Sequence, residues 1–420
     1  MPRTSRVLLL ASAQSYRSPA FTRAAERLGV EVIQGRDVPL PMLKGSDGLA
    51  LDYRDLERST AAIVSAARER PLTAIVGVDD SATRLAALAS AALGLPHNSP
   101  AATAAAQDKR AMRECFARAG LPSPRAHAHS VLDDPDRITR DVTYPCVIKP
   151  TSLSASRGVM RADDAAQLVS RIERLRGILS TERCQDILVE EYIPGVEVAL
   201  EGLLDDGRLR VLALFDKPDP MEGPFFEETM LVTPSRLPSK AQESIAAAAA
   251  RAATALGLKH GPIHAELRWN ERGAWLLEVA ARTIGGLCSR TLRFGGLHSL
   301  EEVVLRQALG WGTIPEQRVG NEAGGEASGA LMIPIPGPGV LRGIEGLEEA
   351  RGIPGIEGVE ITAREGYPLV ALPEGDRYLG FIFARSENPA HVEASLRAAH
   401  ACLRFRIARE LTLAAPISSA

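Results

Sequence analysis

The chain has 420 residues, enough for two to four domains at about 150 residues each. Hydrophobic residues make up 45% and charged residues 24%, a balance that excludes wholesale disorder. The 49 Lys+Arg against 52 Asp+Glu give a formal charge of −3, without the basic excess of a dedicated nucleic-acid binder, and 4% aromatics are too few for base-stacking platforms. Five cysteines (115, 146, 184, 288 and 402) are odd in number, scattered and never CxxC. Neither a disulfide framework nor a zinc site is expected, and a reducing, cytoplasmic setting fits them.

Arg3 and Arg6 followed by the run Val7–Ala13 imitate a leader, but its apolar part is short and gives way to Gln14-Ser-Tyr-Arg17. It reads as a buried first strand. A helix over Pro19–Leu28, a strand over Val30–Ile33 and another over Leu72–Val78 follow. Asp79-Asp80-Ser81 is placed to cap the Ala-rich helix through Leu93. This alternation predicts a parallel sheet covered by helices. The first turn, Ala11-Ser-Ala-Gln-Ser-Tyr16, has no glycine, so a GxGxxG dinucleotide site is not expected.

Asp108 is placed to cap a helix to Ala119, stopped by Gly120-Leu-Pro-Ser-Pro124. Strands are expected over Tyr144–Lys149 and Ile187–Tyr192, with a helix over Asp163–Leu175 between them. Val196–Leu204 and Leu209–Lys217 flank Asp205-Asp206-Gly207 as a hairpin. An Ala-rich helix over 239–256 is too short to span a membrane, and no membrane partner is expected. Strands over Pro262–Trp269 and Ala274–Ala280 meet at Asn270–Gly273. Val319–Ser328 reads as a linker, followed by strands over Ala330–Ile335, Gly358–Ala363, Leu369–Leu372 and Tyr378–Ala384 and a helix over Pro389–Ala401.

Lys109, Val147-Ile-Lys149-Pro, Glu190-Glu-Tyr-Ile-Pro-Gly195, Glu266 and Leu277-Glu-Val-Ala-Ala-Arg-Thr-Ile-Gly-Gly286 occur in the order of the ATP-grasp superfamily. Within it the chain resembles the L-amino-acid ligases, a carboxylate–amine ligase group, across about residues 70 to 312. The implied architecture combines α/β and α+β parts. A Rossmann-like open-sheet domain (1–104) precedes a two-lobed ATP-grasp domain (105–314, small lobe about 125–193) and a C-terminal α+β domain (315–420).

The resemblance implies ATP as a bound nucleotide and Mg²⁺, or Mn²⁺, as the metal. Lys109 and Lys149 suit a triphosphate as point charges; exposed solubilising charges are the competing reading. The loop Thr151–Gly158 resembles the phosphate-covering flap, with Ser152, Ser154 and Ser156 in place of most glycines. Glu190, Glu191, Tyr192 and Ile193 resemble the adenine-reading hinge, and Glu197 the ribose-binding glutamate. Adjacent Glu190 and Glu191 cannot share a strand face, so at least one points away. Lys217 follows the second hairpin strand and is expected to reach transferred phosphate. Arg282 suits an acyl phosphate, with a structural ion pair as the alternative. Glu228 resembles an ammonium-binding acid, His264 is either next to substrate or a packed core histidine, and Gly285 and Gly286 leave a substrate pocket open.

Pairing across the 270–273 turn places Glu266 opposite Glu278 within one residue, a pair that asks for a cation. Alternation puts His264, Glu266 and Arg268 on one face, facing Leu276, Glu278, Ala280 and Arg282. Ala280 stands where the family usually has asparagine. The implied reaction is ATP-dependent joining of a carboxylate to an amine through an acyl phosphate, with an amino acid among the substrates. Another ATP-grasp reaction (nucleotide-biosynthetic ligation or biotin carboxylation) and a non-catalytic ATP sensor stay open. No GxSxG elbow is present. Expected partners are ATP and small carboxylates and amines, not nucleic acid; a homodimer is left open.

Overall fold

A computed structural model describes residues 5–13, 15–39, 48–295, 298–312 and 326–408. In the N-terminal domain, β1 (Arg6–Ala11), α1 (Ser18–Arg27), β2 (Glu31–Asp37), β3 (Leu49–Leu51), α2 (Leu56–Glu69), β4 (Ala74–Gly77) and α3 (Asp80–Leu93) form a parallel sheet, ordered β3-β2-β1-β4, with its helices. The strand β1 reads as an unbroken apolar run because both of its faces are covered. Val7 and Leu9 pack into one core cluster and Leu8 and Leu10 into another. Asp79 does not cap α3 with its side chain, contrary to expectation; its carboxylate accepts from Ser12, Ser15 and Arg17 instead.

Two helices follow, α4 (Pro100–Gln107) and α5 (Lys109–Arg118), the second capped by the Asp108 carboxylate, which accepts from the Arg110 and Ala111 N–H groups. The small lobe holds β5 (Ala126–Ser130), α6 (Pro135–Ile138), β6 (Cys146–Pro150), β7 (Met160–Ala162), α7 (Ala165–Leu179) and β8 (Asp186–Glu191), with an antiparallel sheet ordered β5-β8-β6-β7. Leu168, Ile172, Leu175 and Leu179 bury one stripe of α7 against this sheet at helical spacing.

The large lobe contributes β9 (Val196–Asp205), β10 (Arg208–Asp216), β11 (Met230–Thr233), α8 (Ser239–Leu256), β12 (Gly261–Asn270), β13 (Gly273–Ala280) and α9 (Leu300–Ala308). Asp206 and Gly207, at φ 47° and 80°, close the β9–β10 hairpin in the conformation that its Asp-Gly pair favours. The remaining elements are β14 (Ala327–Ile333), β15 (Gly339–Glu345), α10 (Leu347–Arg351), β16 (Ile356–Ile361), β17 (Pro368–Leu369), β18 (Gly380–Ser386), α11 (Pro389–Cys402) and β19 (Arg404–Ala408). Three of these strands continue the large-lobe sheet, giving eight strands in the order β13-β12-β9-β10-β11-β14-β18-β16. A second sheet is ordered β17-β15-β19.

Several elements depart from expectation. The strand β14 already begins at Ala327, inside the supposed linker, because its edge pairs with β18 and its buried residues fill the core; residues 319–325 lie outside the described residues. The strand expected over Leu369–Leu372 is only β17, since the chain turns where Gly375 N–H bonds to Ala371 O. The helices α2, α4, α6, α9 and α10 and the strands β3, β5, β7, β11, β15 and β19 were not anticipated. All five cysteines are unpaired. Among the described residues no helix is long and apolar enough to cross a membrane.

Candidate active site

A cleft of about 440 Å³ opens between the two lobes and is closed at its far end by the N- and C-terminal parts of the chain. The small lobe supplies β6, the 151–158 loop and the 190–193 hinge. The large lobe supplies β12, β13 and Lys217. The turns after β1 and β4 bring Tyr16, Arg17, Asp79 and Asp80, and Met332, Asp376 and Tyr378 complete the wall.

Lys109 and Lys149 both line the cleft and are buried. Lys109 Nζ donates to Leu153 O at 2.7 Å and lies 3.4 Å from Glu278 Oε2, while its backbone N–H bonds to Thr151 O at 2.9 Å. Lys149 Nζ lies 2.6 Å from Glu190 Oε2. Burial lowers the Lys149 pKa, partly offset by Glu190. Glu190 is the counter-ion of a buried triad, because Arg113 Nε of α5 reaches its other oxygen at 2.7 Å. Its carboxylate is therefore committed to these two cations, at the wall of the cleft. Glu191, on the other strand face, pairs with Arg125 at 3.2 Å. All four hinge residues, Glu190 to Ile193, line the cleft, and the guanidinium groups of Arg161 and Arg268 stand 4.4 and 4.9 Å from the Tyr192 ring centre.

Ser154 and Ser156 face the cleft, but Ser152 is exposed and is not among its lining residues. The loop reaches its shape with little glycine: Ala155 and Ser156 adopt φ 55°. Gly158 is required, since φ is 76° and a Cβ would come within 2.9 Å of Pro150 Cγ. The loop is held from the C-terminal side. Gly158 N–H donates to Pro373 O at 2.8 Å, Arg157 Nε to Glu374 O at 3.0 Å, and Arg174 pairs with the Glu374 carboxylate at 2.5 Å.

On the large lobe, Glu266 is the direct antiparallel partner of Glu278. A bulge lies beside the pair, because Leu267 partners Leu276 and leaves Leu277 extra. The bulge turns Leu276 to the opposite face, into the core under α8, which corrects the expectation that it shares the Glu278 face. Glu266 and Glu278 are both partly open to the cleft and could hold a divalent cation, whose remaining positions water and phosphate oxygens could fill. Ala280 donates nothing, and among the described residues no group of three His, Cys, Asp or Glu forms a metal-type cluster.

Lys217 Nζ meets three carboxylates: Glu197 at 2.8 Å, Glu228 at 3.0 Å and Glu266 at 3.0 Å. Burial disfavours the ammonium, but the three carboxylates outweigh it and hold its pKa well above the ordinary lysine value. Glu197 is further gripped by Arg268 at 3.1 Å, so both its oxygens are engaged. Glu228 Oε1 is buried beside the Lys217 ammonium at 3.0 Å, and the residue lines the cleft. His264 Nδ1 bonds to the buried Glu201 and its Nε2 lies 3.6 Å from Glu266. Burial opposes its charge, yet Glu201 and Glu266 push its pKa up to about 9.

Arg282 lies on the same wall, with Nε 2.9 Å and Nη2 2.8 Å from Asp80 Oδ2. The segment after it is pinned twice. Arg17 Nη1 donates to Thr283 O (2.7 Å) and Ile284 O (3.2 Å), and the Ile284 N–H donates to Glu201 at 3.0 Å. Gly285 has open space where a Cβ would stand; Gly286, at φ 59°, lies against the Phe381 ring. Sequence reasoning missed Arg17, Arg113 and Glu201, and placed Arg268 on the Glu266 face without its partner Glu197. Their signal, a charged residue within or beside an apolar run, is present but names no partner.

Residues 142–291 match the ATP-grasp domain, 22–97 the ATP-grasp N-terminal domain and 331–408 the L-amino acid ligase C-terminal domain 2. An L-amino acid ligase from Bacillus licheniformis has a similar structure, with a TM-score of 0.80 and 25% identity, covering 97% of this chain and 100% of that one. The alanine–anticapsin ligase of Bacillus subtilis (strain 168) is 29% identical over 213 residues, 46% of this chain and 44% of the relative. An uncharacterised protein of Sinorhizobium fredii is 25% identical over 306 residues, 73% of this chain and 62% of its own length. The chain thus spans about half the length of these curated relatives.

Proposed function

We propose, from the premise that this chain is a member of the ATP-grasp superfamily resembling its L-amino-acid ligases, that it joins a carboxylate to an amine at the expense of ATP, with an amino acid among the substrates. The observation that carries this reading is the Glu266–Glu278 pair set directly across two strands and facing Lys109, Lys149 and Arg282 around one cleft. Lys217 and Lys109 each offset one of these carboxylates, both of which stay partly open to the cleft where a divalent cation would join them, and the basic groups around them suit a polyphosphate.

In this reading Lys109, Lys149, Ser154, Ser156 and the 192–193 hinge bind and orient ATP. Glu266 and Glu278 would hold Mg²⁺, which when bound neutralises phosphate charge as the γ-phosphoryl group moves. The substrate carboxylate attacks the γ-phosphorus, the bond to the ADP oxygen breaks, and an acyl phosphate forms. Amine attack on its carbonyl carbon then expels phosphate, leaving an amide. Arg282 stabilises the charge that develops on the acyl phosphate, and Lys217 holds Glu228 and Glu266 in place for substrate and phosphate respectively. Glu228, which lines the cleft beside Lys217, accepts from the ammonium group of an amino acid. The test is ADP release against a panel of amino-acid pairs, with product masses. Amide masses matched one-to-one by ADP support the reading. Carboxylated products, or nucleotide binding without turnover on any pair, contradict it.

A further inference from the structure

The large lobe carries Arg282, but the N-terminal domain decides where its guanidinium sits. Asp79 and Asp80, consecutive at the exit of β4, each face one arginine of the cleft. Asp79 accepts from Ser12, Ser15 and Arg17, and Asp80 Oδ2 meets Arg282 Nε and Nη2 at 2.9 and 2.8 Å. The Asp80 backbone is itself tied down, since its carbonyl accepts from the Thr83 hydroxyl at 3.0 Å and from the Gln107 side chain. Arg282 and Asp80 are 202 residues apart in sequence, so this contact exists only when the two domains are docked.

We propose that Asp80 is a positioning residue for Arg282, fixing the Nε–Nη2 edge of the guanidinium so that it meets the reacting carboxyl group without reorganising. The inference rests on the ligase reading of the cleft. Two observations separate it from an ordinary interdomain ion pair. Both residues line the cleft rather than a sealed interface. The backbone beside Arg282 is held independently, by Arg17 on the Thr283 and Ile284 carbonyls and by Glu201 on the Ile284 N–H. Arg282 Nη1 also donates to Thr283 O at 2.9 Å, so removing the Asp80 charge releases the Nε–Nη2 edge while Nη1 and the segment carrying the side chain stay in place. A preorganised donor loses its advantage when it must search for its orientation, at a cost seen in turnover rather than in nucleotide binding.

The test is Asp80→Asn in the full chain, read by kinetics and by ¹⁵N NMR of the Arg282 Nε–H group. Turnover is expected to fall about 10–100-fold, with the KM for ATP within about twofold of the parent and the Arg282 Nε–H resonance moved to the position of a free arginine side chain. Asp80→Glu, which keeps the charge, is expected to regain part of kcat and of the parent Nε–H shift, and it serves as the readout if Asp80→Asn does not fold. Unchanged kcat in a folded Asp80→Asn protein, or an unchanged Nε–H signal, overturns the proposal. If the parent makes no amide from any amino-acid pair, the ligase reading fails separately. The Nε–H comparison then still decides whether Asp80 holds Arg282.

Discussion

Lys217→Met is the perturbation whose cost follows most directly from the geometry. The ammonium is 3% exposed and lies within 3.0 Å of three carboxylates. Methionine matches the stem but removes the charge. Glu197 keeps Arg268, and Glu266 keeps His264 as a neighbour, but Glu228 loses its cation. Breaking a buried ion pair by deleting one partner costs about 3–5 kcal/mol. Glu228 and Glu266 are 22% and 27% exposed, so water relieves part of the strain and the lower end, about 3 kcal/mol, applies. The sign of the pH dependence follows from Glu266. In the parent, burial opposes its charge but Lys217 and His264 hold its pKa well below the usual range. That contribution is present above the unfolded value of about 4.3 and is lost only as pH falls through the depressed folded value. The Glu266 share of parent stability is thus flat between about pH 5 and 8, while the His264 share declines above about 6.5. In the variant the carboxylates repel and protonate above about 4.3, so the deficit shrinks on acidification. Urea unfolding followed by circular dichroism at the two ends of that window measures it. A deficit below about 1 kcal/mol at the upper end, the range of a surface pair, or a deficit that grows on acidification, refutes the reasoning.

His264 is expected to titrate near 9 in an NMR pH series of its ring, and its ion pair to stabilise the fold fully below the unfolded value of about 6.5 and to fade as pH rises through the folded one; a midpoint at or below the unfolded value contradicts the Glu201 contact. Gly286→Ala must place a Cβ 2.7 Å from Phe381 Cε1 at φ 59°, which is expected to cost about 1–3 kcal/mol in thermal unfolding. Gly285→Ala meets open space and should stay within about 1 kcal/mol; equal losses would rule out the Phe381 contact as the cause. Arg174→Ala removes the pair to Glu374, with side chains 38% and 42% exposed, so global stability should change by about 0–1 kcal/mol. Amide exchange over 151–158 should nevertheless accelerate, and unchanged protection would mean that the C-terminal contact does not hold the loop.

What the sequence discloses is mostly local. The opposition of Glu266 and Glu278 follows from a short turn and period-two alternation, both legible without coordinates. The bulge at Leu277 is not, because the choice of the extra residue depends on how Leu276 packs beneath α8. Glu190 reads as a nucleotide ligand from its motif; its commitment to Lys149 depends on Arg113 arriving from α5, 77 positions away. Asp79 and Asp80 look like helix caps because capping is the local option. Tertiary partners from 62 and 202 positions away outbid it. The strand β15 carries Gly339 at its start and Gly343 at a bulge within its pairing with β19, which weakens its pattern until the partner strand is known.

The most direct test of the acyl-phosphate route is to supply the carboxylate substrate with both carboxyl oxygens as ¹⁸O and to read phosphate by ³¹P NMR and the amide by mass. Attack of the carboxylate on the γ-phosphorus leaves one label in the released phosphate and one in the amide carbonyl. Unlabelled phosphate beside a fully labelled substrate, or release of AMP and pyrophosphate, contradicts that route.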